Sequence, residues 1–320
     1  MGVEEMADYF ETVGLEWVER TARKSYCLKL AKFLRNWVRE EVSAIRILRK
    51  KEHYFSLSKK FLDPSVSTTE LGKAHSLILM SGTLLPLEMY RDILGLEKKR
   101  TMMKAYGSPF SKNNKLNIIV EGITTKYSRR NFEEYEKFAE RIDRIAKATP
   151  GGTAVFFASY KVLNNVIPLI KTRPIFAQRE GMKPREIYEI FKTFSDRGGL
   201  LCAVQGGSLS EGMDYNRGQI KTVIIAGIAL EEMGLEVEAL IDYYQEKFGK
   251  GWEYGYIYPA VMKAMQAAGR AIRKHTDRAV VVYMDERFKW KNYKKLFPED
   301  ENFVISSEPE KYVKRFWESK

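Results

Sequence analysis

A glycine-rich turn is the first of three segments whose residues could bind a ligand, and it would do so through its backbone. Residues 205–215 read Gln-Gly-Gly-Ser-Leu-Ser-Glu-Gly-Met-Asp-Tyr and follow an apolar run at 200–204. Glycines let a ligand approach the backbone closely, and the amides of such a turn can face a phosphate group. The same residues suit a tight connection that binds nothing, so the turn by itself supports both interpretations.

A pair of arginines is the second candidate for phosphate chemistry. Residues 266–273 read Gln-Ala-Ala-Gly-Arg-Ala-Ile-Arg. Arg270 and Arg273 are three residues apart, so a helix would place both on one face. Two clustered guanidinium groups bind phosphate oxygens better than a lysine does. The alternative is a pair of surface arginines without a ligand.

The third candidate is a hydroxyl and an aromatic ring that follow another apolar run. Residues 156–160 read Phe-Phe-Ala-Ser-Tyr. Ser159 and Tyr160 could contact a nucleic-acid strand by hydrogen bonding and stacking. Ser159 could equally be the N-cap of the following helix. From these residues alone, the capping role is favoured.

The elements that must position these turns alternate between strands and helices. Short apolar runs predict buried parallel strands, and the periodic segments between them predict helices. Strands are predicted at 76–80, 116–120, 153–157, 174–177, 199–204, 222–226 and 279–283, and helices at 8–50, 88–94, 132–148, 161–170, 183–194, 234–248 and 259–273. This order predicts an α/β fold with an open parallel sheet and helices on both faces, whose ligands bind at the carboxyl ends of the strands.

Composition narrows the class of protein. The 320 residues carry a net charge of +12, which fits a polyanionic partner such as nucleic acid, although a solvated helix face also accounts for the Lys and Arg of residues 17–60. Two cysteines exclude a disulfide scaffold and a four-cysteine zinc or iron–sulfur site built from this chain alone, and they favour the reducing cytoplasm. The sequence predicts no signal peptide, no membrane span and no membrane partner.

Four segments, taken in order, resemble motifs III to VI of superfamily 2 helicases. They are Ser-Gly-Thr-Leu at 81–84, Phe-Phe-Ala-Ser-Tyr at 156–160, and the two turns at 205–215 and 266–273. Thr-Thr-Lys-Tyr-Ser-Arg at 124–129 supports the match. The chain resembles the XPD branch in particular, the iron–sulfur DNA helicases that include the DinG group, with an archaeal XPD-like form expected. The resemblance covers about residues 60–290.

The resemblance implies two RecA-like lobes with ATP and Mg²⁺ bound between them, and it implies roles for individual residues. The expected arginine fingers are Arg270 and Arg273. The residues expected at the nucleotide site, or coupling it to the DNA groove, are Gln266, Gly269, Glu211, Gly212 and Asp214. Those expected to line the single-strand path are Tyr127, Ser128, Ser159, Tyr160, Gly207 and Ser208. Those expected to relay between the lobes are Ser81, Gly82 and Thr83.

The sequence departs from the full family in lacking a G-x-x-x-x-G-K-[ST] P-loop and four cluster cysteines. Asp285-Glu286-Arg287 looks like a DExx motif, but it follows motif VI, so we predict a structural or solvent-facing role for it. The chain therefore resembles the C-terminal half of such a helicase. The expected divisions are a helical arch remnant at 1–50, the end of the first lobe at 51–107, the second lobe at 108–305 and a tail at 306–320.

The resemblance implies the arginine-finger half of a 5′-to-3′ DNA helicase that acts in DNA repair. Its partners would be single-stranded DNA and a first lobe or partner subunit that carries the P-loop. ATP and Mg²⁺ would be shared with that lobe, so this chain alone is expected to be inactive, without its own metal or iron–sulfur cluster. Two alternatives stay open, a catalytically inactive nucleic-acid-binding module and a superfamily 2 ATPase that acts on RNA.

Overall fold

The computed structural model describes residues 2–41, 43–50, 52–211, 219–272 and 274–319. The strands are β1 Ala44–Lys50, β2 Phe55–Phe61, β3 Lys115–Val120, β4 Gly152–Phe157, β5 Ile175–Ala177, β6 Leu200–Val204, β7 Ile220–Ala226, β8 Ala279–Met284 and β9 Val304–Ser306. The helices are α1 Val3–Thr21, α2 Tyr26–Val38, α3 Ser65–Thr68, α4 Leu87–Ile93, α5 Phe132–Ala148, α6 Tyr160–Val166, α7 Pro184–Arg197, α8 Ser208–Glu211, α9 Leu235–Phe248, α10 Tyr258–Ala268, α11 Lys291–Lys294 and α12 Pro309–Glu318. Among the helices of the described residues, none has the length and apolarity needed to cross a membrane.

A parallel sheet forms the centre of the fold. Within the described residues, seven strands pair in the order β5-β6-β4-β7-β8-β3-β9, with Val155 of β4 opposite Ile224 of β7. Helices cover both faces, and side chains that alternate along a strand enter two separate cores. In β4, Phe156 packs in the core that includes α7, α9 and α10, whereas Phe157 packs in the core that includes α5, α6 and α12. The predicted parallel α/β fold is confirmed.

The helix predicted over residues 132–148 is confirmed with the same bounds. Asn131 caps it, because its side-chain oxygen accepts a hydrogen bond from the backbone N–H of Glu134 at 2.8 Å. Phe138 and Ile142 lie four residues apart and are both fully buried against the sheet. Apolar residues at helical spacing are a local signal, and the sequence alone therefore located this helix correctly.

The prediction of one helix over residues 8–50 is wrong in two places. Ala22 adopts a left-handed conformation after α1, and Ser25 precedes the separate helix α2. Residues 44–50 form β1, which pairs antiparallel with β2, placing Ile47 opposite Ser58. Ile45 and Ile47 are two residues apart, the spacing of one face of a strand, with Arg46 between them, and Ile47 is buried. The pairing with β2 decides between the two periodicities.

The strand predicted at residues 76–80 is also wrong. These residues form no helix or strand, and their apolar side chains are exposed, with Ile78 82% exposed. A parallel strand needs neighbours, and the described strands of the large sheet all lie between residues 115 and 306. Within the described part of the chain, no strand therefore pairs with the apolar run at 76–80.

Residues 304–319, which include most of the C-terminal tail predicted at 306–320, complete the sheet and its helical cover. β9 pairs with β3 at the sheet edge, with Ile305 opposite Ile119. In α12, Val313 is fully buried, and Glu310 accepts a hydrogen bond from Arg144 of α5 at 3.4 Å. This segment is therefore packed against the sheet.

The N-terminal segments dock on α9 and on the π-helical turn Glu253–Ile257 that follows it. Asp63 accepts hydrogen bonds from Tyr243 at 2.8 Å and from Lys247 at 2.6 Å. Asp92 accepts one from Tyr254 at 2.9 Å. Burial alone would raise the pKa of Asp63, but hydrogen bonds from Lys247, Ser65 and Tyr243 outweigh burial and lower it to about 2.

Asp63→Asn should lower the free energy of unfolding by about 2 kcal/mol at pH 7, because the folded carboxyl has a pKa about two units below its ordinary value of 3.8. A lowered pKa stabilises the folded state above about pH 4, and this contribution is lost as the pH falls towards 2. Urea unfolding at pH 7 and at acid pH measures the change.

The matched control is Asp242→Asn, an exposed carboxylate on the same helix as Tyr243. This substitution should change the unfolding free energy by less than about 0.5 kcal/mol. A difference between wild type and Asp63→Asn that persists undiminished at pH 2 would contradict the assigned role of the Asp63 carboxylate.

Candidate nucleic-acid interface

The carboxyl ends of the parallel strands bring the predicted turns to one edge of the sheet. Gln205 follows β6, Ser159 follows β4, Gly227 follows β7, Asp285 follows β8 and Thr125 lies in the loop after β3. These strands are adjacent in the order β6-β4-β7-β8-β3. Residues far apart in the sequence therefore meet at this edge, as the parallel topology predicts.

Asp285 is the buried carboxylate that holds this edge together. It accepts hydrogen bonds from the backbone N–H of Thr125 at 2.8 Å and from the Thr124 hydroxyl at 3.0 Å. It also accepts bonds from Arg287 Nε at 2.9 Å and Nη2 at 2.8 Å. Burial alone would lower the pKa of Arg287, but the hydrogen bonds to Asp285 outweigh burial and raise it, so the guanidinium stays charged. The predicted structural role of this segment is confirmed.

Gly227 lets the end of β7 approach the loop after β3. Its φ is +91°, and a Cβ atom built on it would lie 2.3 Å from Thr125 Cγ2. The backbone N–H of the next residue, Ile228, donates to the Thr125 hydroxyl at 3.3 Å. Glycine meets both requirements, the left-handed backbone and the missing side chain.

The fixed loop after β3 presents a basic and aromatic surface. Thr124 donates its backbone N–H to buried Glu134 at 2.7 Å, and Arg130 Nε donates to the Thr125 carbonyl at 2.7 Å. Tyr127 is 75% exposed at the tip. Its ring centroid lies 5.8 Å from Arg130 Cζ and 6.0 Å from Lys161 Nζ. We call Tyr127, Arg130 and Lys161 the edge cluster; such pairing of aromatic rings with cations suits single-stranded nucleic acid.

The other residues predicted to line the strand path lie on the same edge. Ser128 is exposed in the short 3₁₀ turn that holds Tyr127. Ser159 caps α6, because its hydroxyl accepts from the backbone N–H of Val162 at 3.3 Å. Tyr160 is half-buried beside it. The capping role that the residues favoured for Ser159 is confirmed.

Gln205 fixes the glycine-rich turn. Its buried side chain donates to the carbonyls of Phe156 at 3.1 Å and Gly227 at 2.9 Å. The turn is thereby tied to the ends of β4 and β7. Gly207 and Ser208 follow it at the start of α8, where Gly207 is half-buried and Ser208 exposed.

Arg270 connects the arginine-bearing turn to the glycine-rich turn. Its Nε donates to the carbonyl of Ser210, in the α8 part of the glycine-rich turn, at 2.6 Å. The prediction that a helix would carry Arg270 is wrong, because α10 ends at Ala268 and Gly269 is its C-cap. Gln266 is half-buried on the last turn of that helix. The turn after α10 thus places Arg270 beside Ser210.

Several predicted residues are not part of this assembly. Ser81 and Thr83 hydrogen-bond each other, and within the described part of the chain the side chain of Ser81 bonds nothing else. Gly82 is exposed between them. The remaining predictions fall outside the described residues, namely Gly212, Asp214, Arg273 and the side chain of Glu211.

The structure adds residues to which the sequence reasoning gave no role. Glu134, Arg130, Lys161 and Gly227 position or form the surface around Tyr127. The sequence contained one signal of this basic surface, because Arg129 and Arg130 directly follow Tyr127 and Ser128. The backbone N–H of Thr124 bonds Glu134, ten residues away, and that of Thr125 bonds Asp285, 160 residues away, so no local pattern indicates these partners.

Comparisons with known proteins agree with the architecture. A family described as the helicase C-terminal domain matches residues 142–301. The helicase subunit XPD/RAD3 of the general transcription and DNA repair factor IIH of Saccharomyces cerevisiae is 26% identical over 234 residues, covering 67% of this chain and 30% of the relative. The ATP-dependent DNA helicase XPD of Sulfolobus acidocaldarius is 27% identical over 231 residues, covering 69% of this chain and 40% of the relative. A solved XPD helicase structure superposes with a TM-score of 0.66 at 23% identity, over 95% of this chain and 55% of that one.

The parallel sheet and its edge turns define an α/β helicase lobe. The chain belongs to the helicase C-terminal domain family, whose match covers half of its length. The predicted resemblance to the C-terminal half of an XPD/DinG-type helicase is confirmed for family and fold. The chain spans about a third of the length of the curated relatives that it matches.

Asp285→Asn should lower the free energy of unfolding by about 3 kcal/mol, because it leaves the buried Arg287 charge without its partner. The matched control is Glu286→Gln, since Glu286 is the adjacent carboxylate and bonds the partly exposed Arg129 at 3.2 Å. Glu286→Gln should lower the free energy of unfolding by less than about 1 kcal/mol. Chemical denaturation of both variants gives the comparison, and equal losses would show that Asp285 does not hold the edge together.

Proposed function

We propose that this chain supplies the second lobe and adjoining segments of an ATP-dependent DNA helicase of the XPD type, which couples ATP hydrolysis to movement along single-stranded DNA. The observation that carries this proposal is the bond between Arg270 and the Ser210 carbonyl. It joins the arginine-bearing turn to the glycine-rich turn, at the sheet edge where Tyr127 is exposed. The glycine-rich turn also bonds the Gly227 carbonyl through Gln205, and Ile228 donates to Thr125 in the loop that carries Tyr127, so these bonds connect groups suited to phosphate with a group suited to a nucleic-acid strand.

At the nucleotide site we assign Arg270 and Arg273 to stabilise negative charge on the transferring phosphoryl group. The guanidinium of Arg270 and the glycine-rich backbone beside it fit an anion. This chain has no P-loop sequence. We therefore assign the nucleotide and Mg²⁺ to a cleft shared with a first lobe, from the same protein or a partner, and expect no hydrolysis by this chain alone.

At the DNA site the edge cluster would track a single strand. Arg130 and Lys161 would bind backbone phosphates, and Tyr127 would stack on a base. The domain divisions at 50, 107 and 305, the 5′-to-3′ polarity and a cytoplasmic location are parts of this proposal. A repair role is a further part, supported by the yeast relative whose name includes DNA repair. The exposed run at 76–80 would pair with strands of the first lobe.

ATP hydrolysis by this chain should stay at background with and without single-stranded DNA. Adding a P-loop-bearing first half in trans should restore DNA-stimulated hydrolysis. In that reconstituted system Arg273→Ala should lower the rate by about 10³-fold or more, the usual effect of losing an arginine finger. The matched control is Arg315→Ala, an exposed arginine on α12, which should leave the rate unchanged.

Two results would contradict this assignment. Hydrolysis by the purified chain alone would reveal a nucleotide site within it. A reconstituted rate that falls by less than about twofold in Arg273→Ala would remove the arginine-finger role, because a true finger contributes several orders of magnitude.

Tyr127→Ala should weaken binding to oligo(dT) by about tenfold, because stacking on one aromatic ring contributes about 1–3 kcal/mol per base. Fluorescence anisotropy with a labelled oligonucleotide measures the affinity. The control is Tyr188→Ala. Tyr188 is an exposed tyrosine on α7, which covers the face of the sheet opposite α6 and Lys161, and the affinity of this variant should match wild type. Affinity should also fall as salt rises, since the contacts to phosphate displace counterions.

A Tyr127→Ala affinity equal to wild type would remove Tyr127 from the strand path. Parallel titration with oligo(U) distinguishes the RNA-acting alternative, because the 2′-hydroxyl is the group that separates RNA from DNA. Tighter binding to oligo(U) than to oligo(dT) would favour that alternative over a DNA helicase.

A further inference from the structure

The helices α1 and α2 form an antiparallel hairpin. Gly14 of α1 and Leu34 of α2 are buried where the helices touch. A Cβ atom on Gly14 would lie 2.8 Å from Leu28 Cγ, so the helices are in close contact at this level. Arg35, in the last turn of α2, donates to Asp8, in the first half of α1, at 2.7 Å. The two helices therefore run in opposite directions.

Each helix carries an apolar stripe beside this contact. One apolar residue precedes the buried residue by one position, and another follows it by three positions. These pairs are Val13 and Trp17 around Gly14 in α1, and Phe33 and Trp37 around Leu34 in α2. An approximate two-fold axis perpendicular to an antiparallel pair relates its helices, so equal offsets place both stripes on the same side of the hairpin.

The described chain leaves this side of the hairpin open to solvent. Trp17 is 51% exposed, and Tyr26 and Leu30, which extend the α2 stripe, are also exposed, Tyr26 by 83%. Phe33 and Trp37 are half-buried, with ring centroids 5.9 Å apart. Large apolar side chains gathered on one exposed side mark a site for another protein. We call Val13, Trp17, Tyr26, Leu30, Phe33 and Trp37 the hairpin face.

The two halves of the hairpin face lie on helices of opposite charge. α1 contains six acidic residues and one arginine, whereas α2 contains two lysines, one arginine and no acidic residue. At the outer border of the stripes, Glu16 precedes Trp17 and Lys29 precedes Leu30. Lys29 Nζ also lies 5.2 Å from the centroid of the Tyr26 ring. A surface with one acidic and one basic half is complementary to a second copy of itself.

We propose that the hairpin face is the interface of a homodimer, in which α1 of each copy packs on α2 of the other to form an antiparallel four-helix bundle. A two-fold axis parallel to the helices produces this arrangement and brings the acidic helix against the basic helix twice. An axis across the helices would instead place α1 against α1, where like charges repel. Dimerisation through this face is independent of the helicase function proposed above.

The contact between Gly14 and Leu28 sets the register of this dimer. A two-fold axis parallel to the helices leaves every residue at its own height along them. Glu16 and Trp17 of one copy therefore come level with the first turn of α2 in the other copy, which holds Tyr26 and Lys29. Trp17 would pack on the apolar stripe of that helix, and Glu16 would meet Lys29 of the second copy.

Analytical ultracentrifugation of the full chain should show a dimer that dissociates on dilution. Trp17→Ser should weaken dimerisation by about tenfold or more, because tryptophan is among the residues that contribute most to an interface. The matched control is Trp252→Ser. Trp252 is 48% exposed on the turn between α9 and α10, and its loss should leave dimerisation unchanged. Circular dichroism should show that both variants stay folded.

Charge reversal tests the orientation of the two copies. Glu16→Lys and Lys29→Glu should each weaken the dimer by about tenfold, because like charges then meet at both symmetry-related contacts. The two substitutions in one chain should restore dimerisation, and a mixture of the two single variants should form a heterodimer. Rescue in the mixture requires that residues 16 and 29 meet between copies.

Three results would overturn the proposed dimer. A wild-type chain that stays monomeric does so, and uptake of a P-loop-bearing half through Trp17 would then assign the hairpin face to that half. A dimer that Trp17→Ser leaves intact would be held by another surface, such as the exposed run at 76–80. Failure of the double charge variant and of the mixture to dimerise would exclude the packing of α1 on α2 between copies.

Discussion

Parallel pairing is the constraint from which the rest of this structure follows. Seven parallel strands in the described residues bring their carboxyl ends to one edge, and helices bury both faces of the sheet. The turns at that edge must therefore meet, although residues that bond there, such as Thr125 and Asp285, are 160 positions apart. Because both faces of the sheet are buried, ligands of such a sheet bind in the crevice outside the carboxyl ends of its strands.

The turns at this edge contain backbone groups that need hydrogen-bond partners. Buried polar side chains are those partners. Gln205 bonds the carbonyls that end β4 and β7. Asp285 accepts bonds from the loop after β3 and from Arg287. Because a buried polar group without a partner is costly, these side chains fix each turn in one position. Tyr127 can then be exposed, with half-buried Arg130 beside it, on a loop that is itself well supported.

The N-terminal third has a different character, because it lies outside the large sheet and bonds α9 and the turn after it. Asp63 and Asp92 each bond a tyrosine of that region, and Met89 joins the core. The apolar run at 76–80 nevertheless stays exposed. Under the proposed function, pairing with strands of a first lobe would bury this run.

The sequence by itself determined the features that depend on near neighbours in the chain. The apolar spacing of residues 132–148 defined α5, and the continuous apolar run of β6 marked a buried strand. Four ordered motifs were enough to recognise the helicase family, which the family match confirms. Tertiary structure decided what depends on distant partners, such as the choice of strand at residues 44–50, the end of α10 at Ala268, and the meeting of Thr125 with Asp285. The physical reason is that local periodicity reports which face of an element is apolar, whereas pairing and buried polar contacts depend on which elements the folded chain brings together.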